Sequence, residues 1–233
     1  MFSDTLLRVI LLLAGVMIVN SFEAQATTVT IGLIGDSTVA TRYGWGPAFA
    51  TRIGDKAQVL NYAKNGATLE SLSGKLDELL ELKPDYVLIQ FGHNDQKKYD
   101  TEEYKAKLKS YVDRVKQAGA QAIILSSVTR RNFDENGKIK PREEGLKANL
   151  TFYAKAAQEV AAEEQVPFID LYAVSVAHHN EIGPEASAAY NYNEKDTTHF
   201  SPQGAGAIAM LILKELKAVV PDVPAWSESE TPE

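Results

Sequence analysis

Apolar runs and apolar residues at helical spacing alternate along most of this 233-residue chain. Short runs rich in β-branched residues predict strands, and they lie at Thr28–Ile34, Ala57–Asn61, Tyr86–Phe91, Ala122–Ser126 and Val166–Leu171. Apolar positions three and four residues apart predict helices from Pro47, over 69–80, 104–115 and 146–160, and from Ser201. The pattern therefore predicts an α/β chain, a three-layer α/β/α sandwich around a central parallel sheet of about five strands.

The polar segments that follow these strands carry residue types used in catalysis. Ser37 follows the first strand in Gly35–Thr38, Gly66 follows the second, and Asn94 follows the third within Gly92–Asp95. The carboxyl ends of parallel strands share one edge of the sheet, where open α/β sheets bind their ligands. A Gly-Asp-Ser-Thr stretch alone is equally typical of an ordinary turn, so its interpretation depends on the other segments.

The segment before the last predicted helix offers a base. Ester hydrolysis by a serine needs a base for the hydroxyl proton, a carboxylate that orients the base, and donors to the carbonyl oxygen. His199 supplies the base and Asp196 its carboxylate, and the D-x-x-H spacing delivers both on one short segment. The donors are the backbone N–H groups of Ser37 and Gly66 and the side-chain amide of Asn94. The sequence thus predicts a catalytic triad with Ser37 as nucleophile, and an oxyanion hole built from these donors.

Further residues near these segments are possible substrate contacts: Trp45, His93, Arg130 and Arg131. Trp45 is either part of the core or a platform for a sugar ring. His93 either contacts substrate or makes a structural hydrogen bond. The arginine pair either lies on the general surface or contacts a substrate carboxylate, which guanidinium groups bind well.

Other polar residues are interpreted as structural. Asp36 is expected to cap a helix N-terminus, and Asp95 is expected to hold the neighbouring loops. His178 and His179 lie in a polar, helix-like stretch with no third ligand at a recognisable metal spacing. No metal is therefore expected.

The first 26 residues have the pattern of a secretory signal peptide. Arg8 precedes an apolar run, Val9–Val19, and Ala24–Ala26 has the A-x-A form of a cleavage site. The run is shorter than the ~20 residues that a membrane span needs. We expect cleavage after Ala26 and a secreted or periplasmic protein without stable membrane insertion; the alternative is an uncleaved N-terminal anchor.

Composition limits what the rest of the chain can be. With 45% hydrophobic and 24% charged residues, it is typical of one globular domain, expected over residues 27–220. There is no cysteine, so no disulfide can form. The formal net charge is −7, and four acidic residues lie in 221–233, which is expected to be a disordered tail. A nearly neutral body argues against nucleic acid as a partner.

Taken together, the polar segments resemble the SGNH hydrolase superfamily, with its Gly-Asp-Ser, post-strand Gly, Gly-x-Asn-Asp and Asp-x-x-His. The similarity is greater to the rhamnogalacturonan acetylesterase family of carbohydrate esterases, over about residues 28–219. The stretches that carry it are Gly35–Thr38, Gly44–Gly46, Gly92–Asp95, Arg130–Phe133 and Thr198–Ser201. The resemblance implies a flavodoxin-like SGNH hydrolase fold, with Ser37, Gly66, Asn94 and His199 in the roles given above.

The resemblance also implies a function. Members of that family remove O-acetyl groups from plant cell-wall polysaccharide, chiefly pectin, without a cofactor. The expected partner is an acetylated polysaccharide or oligosaccharide, although Gly66–Thr68 departs from the family's frequent Gly-Arg-Ser and leaves the glycan open. The alternatives are a lysophospholipase or thioesterase of the same superfamily, which needs a long apolar groove, and a catalytically silent glycan-binding protein. A phosphate-binding module is disfavoured because Asp36 would repel the anion.

Overall fold

The computed structural model of the protein describes residues 28–140 and 150–223. Its centre is a five-stranded parallel sheet with the strand order β2-β1-β3-β4-β5. The strands are β1 (Val29–Gly35), β2 (Ala57–Asn61), β3 (Tyr86–Gln90), β4 (Gln121–Leu125) and β5 (Phe168–Ile169). This is the flavodoxin-like order, in which the direction of winding reverses between β1 and β3.

Helices cover both faces of the sheet. In the described part of the chain they are α1 (Gly46–Ile53), α2 (Ser73–Leu80), α3 (Thr101–Gln117), α4 (Leu150–Glu163), α5 (Leu171–Ala188) and α6 (Pro202–Val219). One core cluster joins the sheet to α1 and α6, and a second joins its other face to α2, α3 and α4. The predicted three-layer α/β/α sandwich around a five-stranded parallel sheet is confirmed.

The first strand illustrates why the central strands are apolar throughout. Alternate side chains of a strand point to opposite faces of the sheet. Ile31 and Leu33 pack in the cluster with α1 and α6, whereas Ile34 packs in the cluster with α2 to α4. A Cβ atom at Gly32 would lie 2.8 Å from a methyl carbon of Leu79, so the glycine allows α2 to approach the sheet closely. Burial on both faces therefore selects apolar or small residues at successive positions.

The second half of the fold departs from the predicted pattern. A fifth strand is predicted over Val166–Leu171, but only Phe168 and Ile169 pair with β4. The strand is short because Asp170 already begins α5, where its carboxylate accepts a hydrogen bond from the Ala173 N–H group. The sequence indicates α5 only as a helix-like stretch, since its apolar residues do not gather on one face and Gly183 interrupts its helical conformation.

A short antiparallel hairpin lies outside the main sheet. It consists of β6 (Asn191–Asn193) and β7 (Asp196–Phe200), and we call it the catalytic hairpin because it carries the predicted base. Its residues are mostly polar and only partly buried, so periodicity did not predict it as a pair of strands.

Several predictions concern residues outside the described ranges. The signal peptide (1–26), Leu146 in the predicted fourth helix and residues 224–233 of the tail lie there. Val223 is described and packs with Val220 in the core, so the body extends past the predicted end at 220. Within the described ranges, no helix has the length and apolar character needed to cross a membrane.

Candidate active site

The catalytic candidates meet at the carboxyl edge of the sheet, where the strand order reverses. Ser37 follows β1, Asn94 follows β3, and these two strands are neighbours. His199 on β7 reaches across, so that its Nε2 lies 2.7 Å from Ser37 Oγ. Its Nδ1 lies 2.7 Å from Asp196 Oδ2. The structure therefore brings the three predicted triad residues into one hydrogen-bonded chain.

The carboxylate of Asp196 determines how protons are arranged along this chain. A carboxylate oxygen only accepts, so His199 Nδ1–H donates to it and the lone pair of Nε2 faces Ser37. The other oxygen, Asp196 Oδ1, accepts the backbone N–H groups of Thr198 and His199, both at 3.0 Å. Partial burial opposes ionisation of Asp196, but these hydrogen bonds outweigh it and hold its pKa below the usual value. The imidazole is thus oriented to accept the Ser37 proton.

A buried chain of hydrogen bonds holds the nucleophile turn, Asp36–Thr38. Asp36 Oδ1 accepts the backbone N–H group and the hydroxyl of Thr38, at 2.9 and 2.8 Å. Gln90 donates to Thr38 Oγ1 at 2.6 Å and accepts from the indole N–H of Trp45 at 2.8 Å. Trp45 is fully buried, so the alternative of a sugar platform is wrong and the core alternative applies. Its ring belongs to the core and supports the nucleophile turn from behind.

Two buried carboxyl groups belong to the scaffold of this edge. Asp36 caps no helix, contrary to expectation, because α1 has Trp45 at its N-cap. Burial raises the pKa of Asp36. Asp95 accepts the N–H groups of Leu69 and Gly92, at 2.9 and 3.1 Å, which confirms that it holds the neighbouring loops. Burial also raises the pKa of Asp95, to about 6.

The predicted oxyanion donors lie at the same edge. Asn94 Nδ2 donates to the carbonyl of Ala67 at 3.0 Å, and its Oδ1 accepts from Lys97 Nζ at 3.3 Å. These contacts orient the amide and leave its second N–H for a ligand. Gly66 adjoins Ala67 with φ of 74°, a conformation that favours glycine. Among the described residues the backbone N–H groups of Ser37 and Gly66 meet no acceptor, so both can donate to a carbonyl oxygen.

His93 does not reach the open side of the site. It is buried, and its Nε2 lies 3.0 Å from the carbonyl oxygen of Val128. Burial, with repulsion from Arg130, lowers the pKa of His93 well below its usual value, so the ring is neutral. The prediction that it contacts substrate is wrong, and the structural alternative applies.

The two adjacent arginines lie in different environments. Arg131 is 3% exposed and points into the protein, where it donates to the His199 carbonyl and to Asn191. For Arg131 both predicted alternatives, a substrate contact and a surface position, are therefore wrong. Arg130 is partly exposed, and its Nε donates to Thr198 Oγ1 at 3.1 Å. Both residues lie in the irregular segment after β4, and the contacts of Arg131 with Asn191 and His199 turn its side chain inward.

Arg130 borders a polar groove beside the triad. The groove has a volume of about 760 Å³, and all of its bordering residues are polar or charged: Lys97, Arg130, Asn132, Asn193, Lys195, Asp196, Thr197 and Thr198. Three of them are cations. Arg130 therefore remains a predicted substrate contact, and two lysines that the sequence did not single out join it.

Two aromatic residues that the sequence pattern did not indicate lie next to His199. The ring centroids of Tyr43 and His199 are 5.2 Å apart, and Tyr192 meets Tyr43 edge-on at 4.6 Å. Tyr192 is 43% exposed. Tyr43 lies near the nucleophile turn in sequence and Tyr192 lies in β6, so only the folded structure shows that they adjoin.

The adjacent histidines of α5 make hydrogen bonds within the protein. His179 Nδ1 lies 2.9 Å from Ser187 Oγ, and His178 Nε2 lies 3.3 Å from the hydroxyl of Tyr190. In residues 28–140 and 150–223, no group of three or more His, Cys, Asp or Glu could hold a metal ion.

Comparison with known proteins places these residues in a family. Residues 33–207 match the model of the GDSL-like lipase/acylhydrolase family. The chain belongs to that family. As a GDSL-like protein it is a carboxylic ester hydrolase, which agrees with the hydrogen-bonded serine at its sheet edge.

Relatives within the GDSL-like family include named acetylesterases. The chain is 35% identical to rhamnogalacturonan acetylesterase RhgT of Bacillus subtilis, over 81% of this chain and 90% of that protein. It is 32% identical to the probable rhamnogalacturonan acetylesterase YesY of the same organism, over 80% and 92%. The crystal structure of B. subtilis YxiM superposes with a TM-score of 0.71 at 30% identity, over 82% of this chain and 57% of that one. The resemblance inferred from the motifs is confirmed.

Proposed function

We propose that this protein is an exported serine acetylesterase that removes O-acetyl groups from an acidic plant cell-wall polysaccharide of the rhamnogalacturonan type. The observation that carries the proposal is the chain from Ser37 through His199 to Asp196, with both hydrogen bonds at 2.7 Å. The similarity to two proteins named as rhamnogalacturonan acetylesterases supports the acetyl ester and the glycan.

In the proposed reaction, His199 Nε2 accepts the proton of Ser37 Oγ as that oxygen attacks the acetyl carbonyl carbon. The carbonyl oxygen becomes negative and accepts hydrogen bonds from the Ser37 and Gly66 N–H groups and the Asn94 amide. Asp196 stabilises the imidazolium. His199 then donates its proton to the departing sugar oxygen, which leaves Ser37 acetylated. A water molecule, deprotonated by His199, attacks the acetyl group. The bond to Ser37 Oγ then breaks, His199 returns the proton to that oxygen, and acetate is released.

The surroundings of the triad support a charged glycan. Lys97, Arg130 and Lys195 line the groove, and such cations bind carboxylates like those of uronic acids. Tyr43 and Tyr192 place aromatic rings beside the catalytic imidazole, where they can contact a sugar ring. The groove has no apolar wall for a long acyl chain, which disfavours a lysophospholipase or thioesterase.

The N-terminal pattern supports export. Residues 1–26 combine Arg8, an apolar run and the A-x-A stretch that ends at Ala26. Fusing these residues to a reporter that is active only outside the cytoplasm tests the proposal. Reporter activity, together with a mature protein whose first residue is Thr27, supports it; an inactive reporter contradicts it.

Acetate release from a panel of substrates tests the glycan and the acyl group. The panel contains acetylated rhamnogalacturonan, acetylated xylan, and nitrophenyl acetate and octanoate. The matched control is rhamnogalacturonan whose uronate carboxyls have been reduced to alcohols, with its acetyl groups retained. If the three cations of the groove each contribute ~0.5 kcal/mol, kcat/KM should be about tenfold higher on the native polymer than on the reduced one.

The results of this panel distinguish the proposed function from its alternatives. Equal rates on native and carboxyl-reduced polymer would remove the acidic glycan from the proposal. Faster hydrolysis of octanoate than of acetate would favour the lipolytic alternative. Binding of the polymer without acetate release would favour the silent glycan-binding alternative.

A further inference from the structure

Arg131 is a buried cation that contacts both strands of the catalytic hairpin. Its Nε donates to Asn191 Oδ1 on β6 at 2.5 Å, and its Nη2 donates to the backbone carbonyl of His199 on β7. The guanidinium also lies over the ring of Phe200, with its carbon 4.8 Å from the ring centroid. One side chain therefore fixes the spacing of the two strands and contacts the base residue itself.

The backbone and neighbours of Arg131 make further hydrogen bonds between the segment after β4 and the catalytic hairpin. The Arg131 N–H donates to the carbonyl of Thr197 at 3.0 Å. Thr197 Oγ1 in turn donates to Asn132 Oδ1 at 2.8 Å, and Arg130 Nε donates to Thr198 Oγ1. The segment after β4 thus contacts consecutive residues leading up to His199. Among these contacts, only that of Arg131 reaches His199 directly.

Stability alone is a poor explanation for a guanidinium at this place. Burial lowers the pKa of Arg131 to about 10, against the attraction of Asp196, so the group is still charged at neutral pH. Its Nη1 is buried and has no hydrogen-bond partner among the described residues. Burying a charge with an unsatisfied nitrogen is costly, and an apolar side chain of similar size often stabilises as well or better.

We infer that Arg131 is a positioning residue, which holds the backbone of His199 so that its imidazole bridges Ser37 and Asp196. The inference rests on the proposed Ser-His-Asp mechanism. β7 lies outside the main sheet and pairs only with β6 in the described residues, so the sheet does not fix the position of His199. The planar guanidinium presents five N–H groups in a fixed arrangement, and here Nε and Nη2 each meet one acceptor, one on each strand.

Two substitutions test the inference: Arg131→Lys and Arg131→Gln. Lysine keeps the buried charge but cannot form the two-pronged contact. Hydrolysis of nitrophenyl acetate is measured, with folded active sites counted by a serine-reactive phosphonate. Because a misplacement of about 1 Å can cost ~10²-fold, kcat should fall by about that factor in Arg131→Gln and by about tenfold in Arg131→Lys. KM for this small substrate should stay within about twofold, since Arg131 does not line the groove.

The matched control is Arg114→Gln. Arg114 likewise donates to a backbone carbonyl and a side chain, those of Ser73, but joins α3 to α2 away from the site. The Arg114→Gln substitution should lower the melting temperature and leave kcat unchanged. The low-field proton signal of the His199 Nδ1–H bound to Asp196 should weaken in the Arg131 variants and persist in the control.

A parent-like kcat in folded Arg131→Lys, within about twofold, would overturn the inference. If Arg131→Gln does not fold, the lysine variant alone decides, because it retains the charge. Ser37→Ala is assayed alongside. Activity in that variant would contradict the mechanism itself, whereas an inactive Ser37→Ala beside fully active Arg131 variants would reject only the positioning role.

Discussion

Ser37 and His199 lie within hydrogen-bond distance, yet different parts of the fold hold them in place. The nucleophile turn directly follows a central strand, and its hydrogen bonds run through Gln90 on the neighbouring strand to the buried Trp45. The proposed base, His199, lies on a hairpin outside the main sheet. The hairpin is attached through Arg131 and its neighbours after β4, and through the Phe200 N–H, which donates to the Tyr43 carbonyl.

This difference predicts how substitutions near the nucleophile turn and substitutions near the catalytic hairpin affect the protein. The nucleophile turn shares its hydrogen bonds with the core, so a substitution behind it should weaken the whole fold. The hairpin has few buried apolar residues, so a substitution beneath it should alter the geometry of the base before it alters stability.

Ser37→Ala should reduce kcat by at least about 10⁴-fold, as loss of a serine nucleophile does elsewhere. The melting temperature should change little, because the only side-chain contact of its hydroxyl in the described structure is His199. Kinetics and calorimetry on one preparation check both. Ser73→Ala, which removes a hydroxyl bonded to Arg114 on a remote helix pair, should keep the parent kcat. Parent-like turnover in Ser37→Ala would reject the triad.

Asn94→Ala should reduce kcat by ~10²–10³-fold, because one donor to the developing oxyanion is lost. KM should change by no more than about threefold, since the oxyanion forms only in the transition state. Asn94→Asp should be at least as harmful, because its carboxylate would repel that charge. If Asn94 only holds the Ala67 loop, both variants would melt earlier and keep the turnover of their folded fraction.

Trp45→Phe should destabilise the protein by about 1–3 kcal/mol, because the buried Gln90 Oε1 loses the only donor it has within residues 28–140 and 150–223. KM for the polysaccharide should stay unchanged, since the ring is buried. Tyr192→Ala should raise KM for the polysaccharide and leave the urea midpoint unchanged. A raised KM with unchanged stability in Trp45→Phe would restore the sugar platform that the structure excludes.

His179, which lies near the hairpin, should make the free energy of unfolding fall at acidic pH. Burial, with repulsion from Arg131, lowers its pKa from 6.5 to about 3. The unfolded chain therefore binds the proton more readily between these values, and stability falls as pH falls, by up to about 1.4 kcal/mol per pH unit. Urea midpoints at pH 7 and 5 should differ less in His179→Gln than in the parent.

Asp95 changes the free energy of unfolding with pH in the opposite direction to His179. The parent must therefore be compared with His179→Gln at each pH. Its pKa is raised to about 6, so the folded state binds its proton more readily and Asp95 favours the folded state as pH falls toward 4. The parent and the variant share the contribution of Asp95. The difference between their urea midpoints therefore reports the contribution of His179. Equal pH dependence in parent and variant would mean that His179 titrates normally.

The sequence determined the strands and the residues at their ends. Apolar runs predicted the central strands within about two residues because burial on both faces leaves a strong local pattern. The parallel arrangement then required that Ser37, Gly66 and Asn94 share one edge, and the D-x-x-H spacing placed Asp196 beside His199. These conclusions depend on short stretches of chain and on one general property of parallel sheets.

Which neighbours of these residues face substrate depends instead on how distant segments of the chain pack together. Trp45, His93 and Arg131 carry the chemistry of binding residues, but each is buried because its partner comes from a distant part of the chain. Trp45 meets Gln90, and Arg131 meets the hairpin. Side-chain direction at a strand end or loop is set by such packing between remote segments, which no local pattern records. The same reason explains why Arg130 is partly exposed whereas Arg131, its neighbour in sequence, is buried.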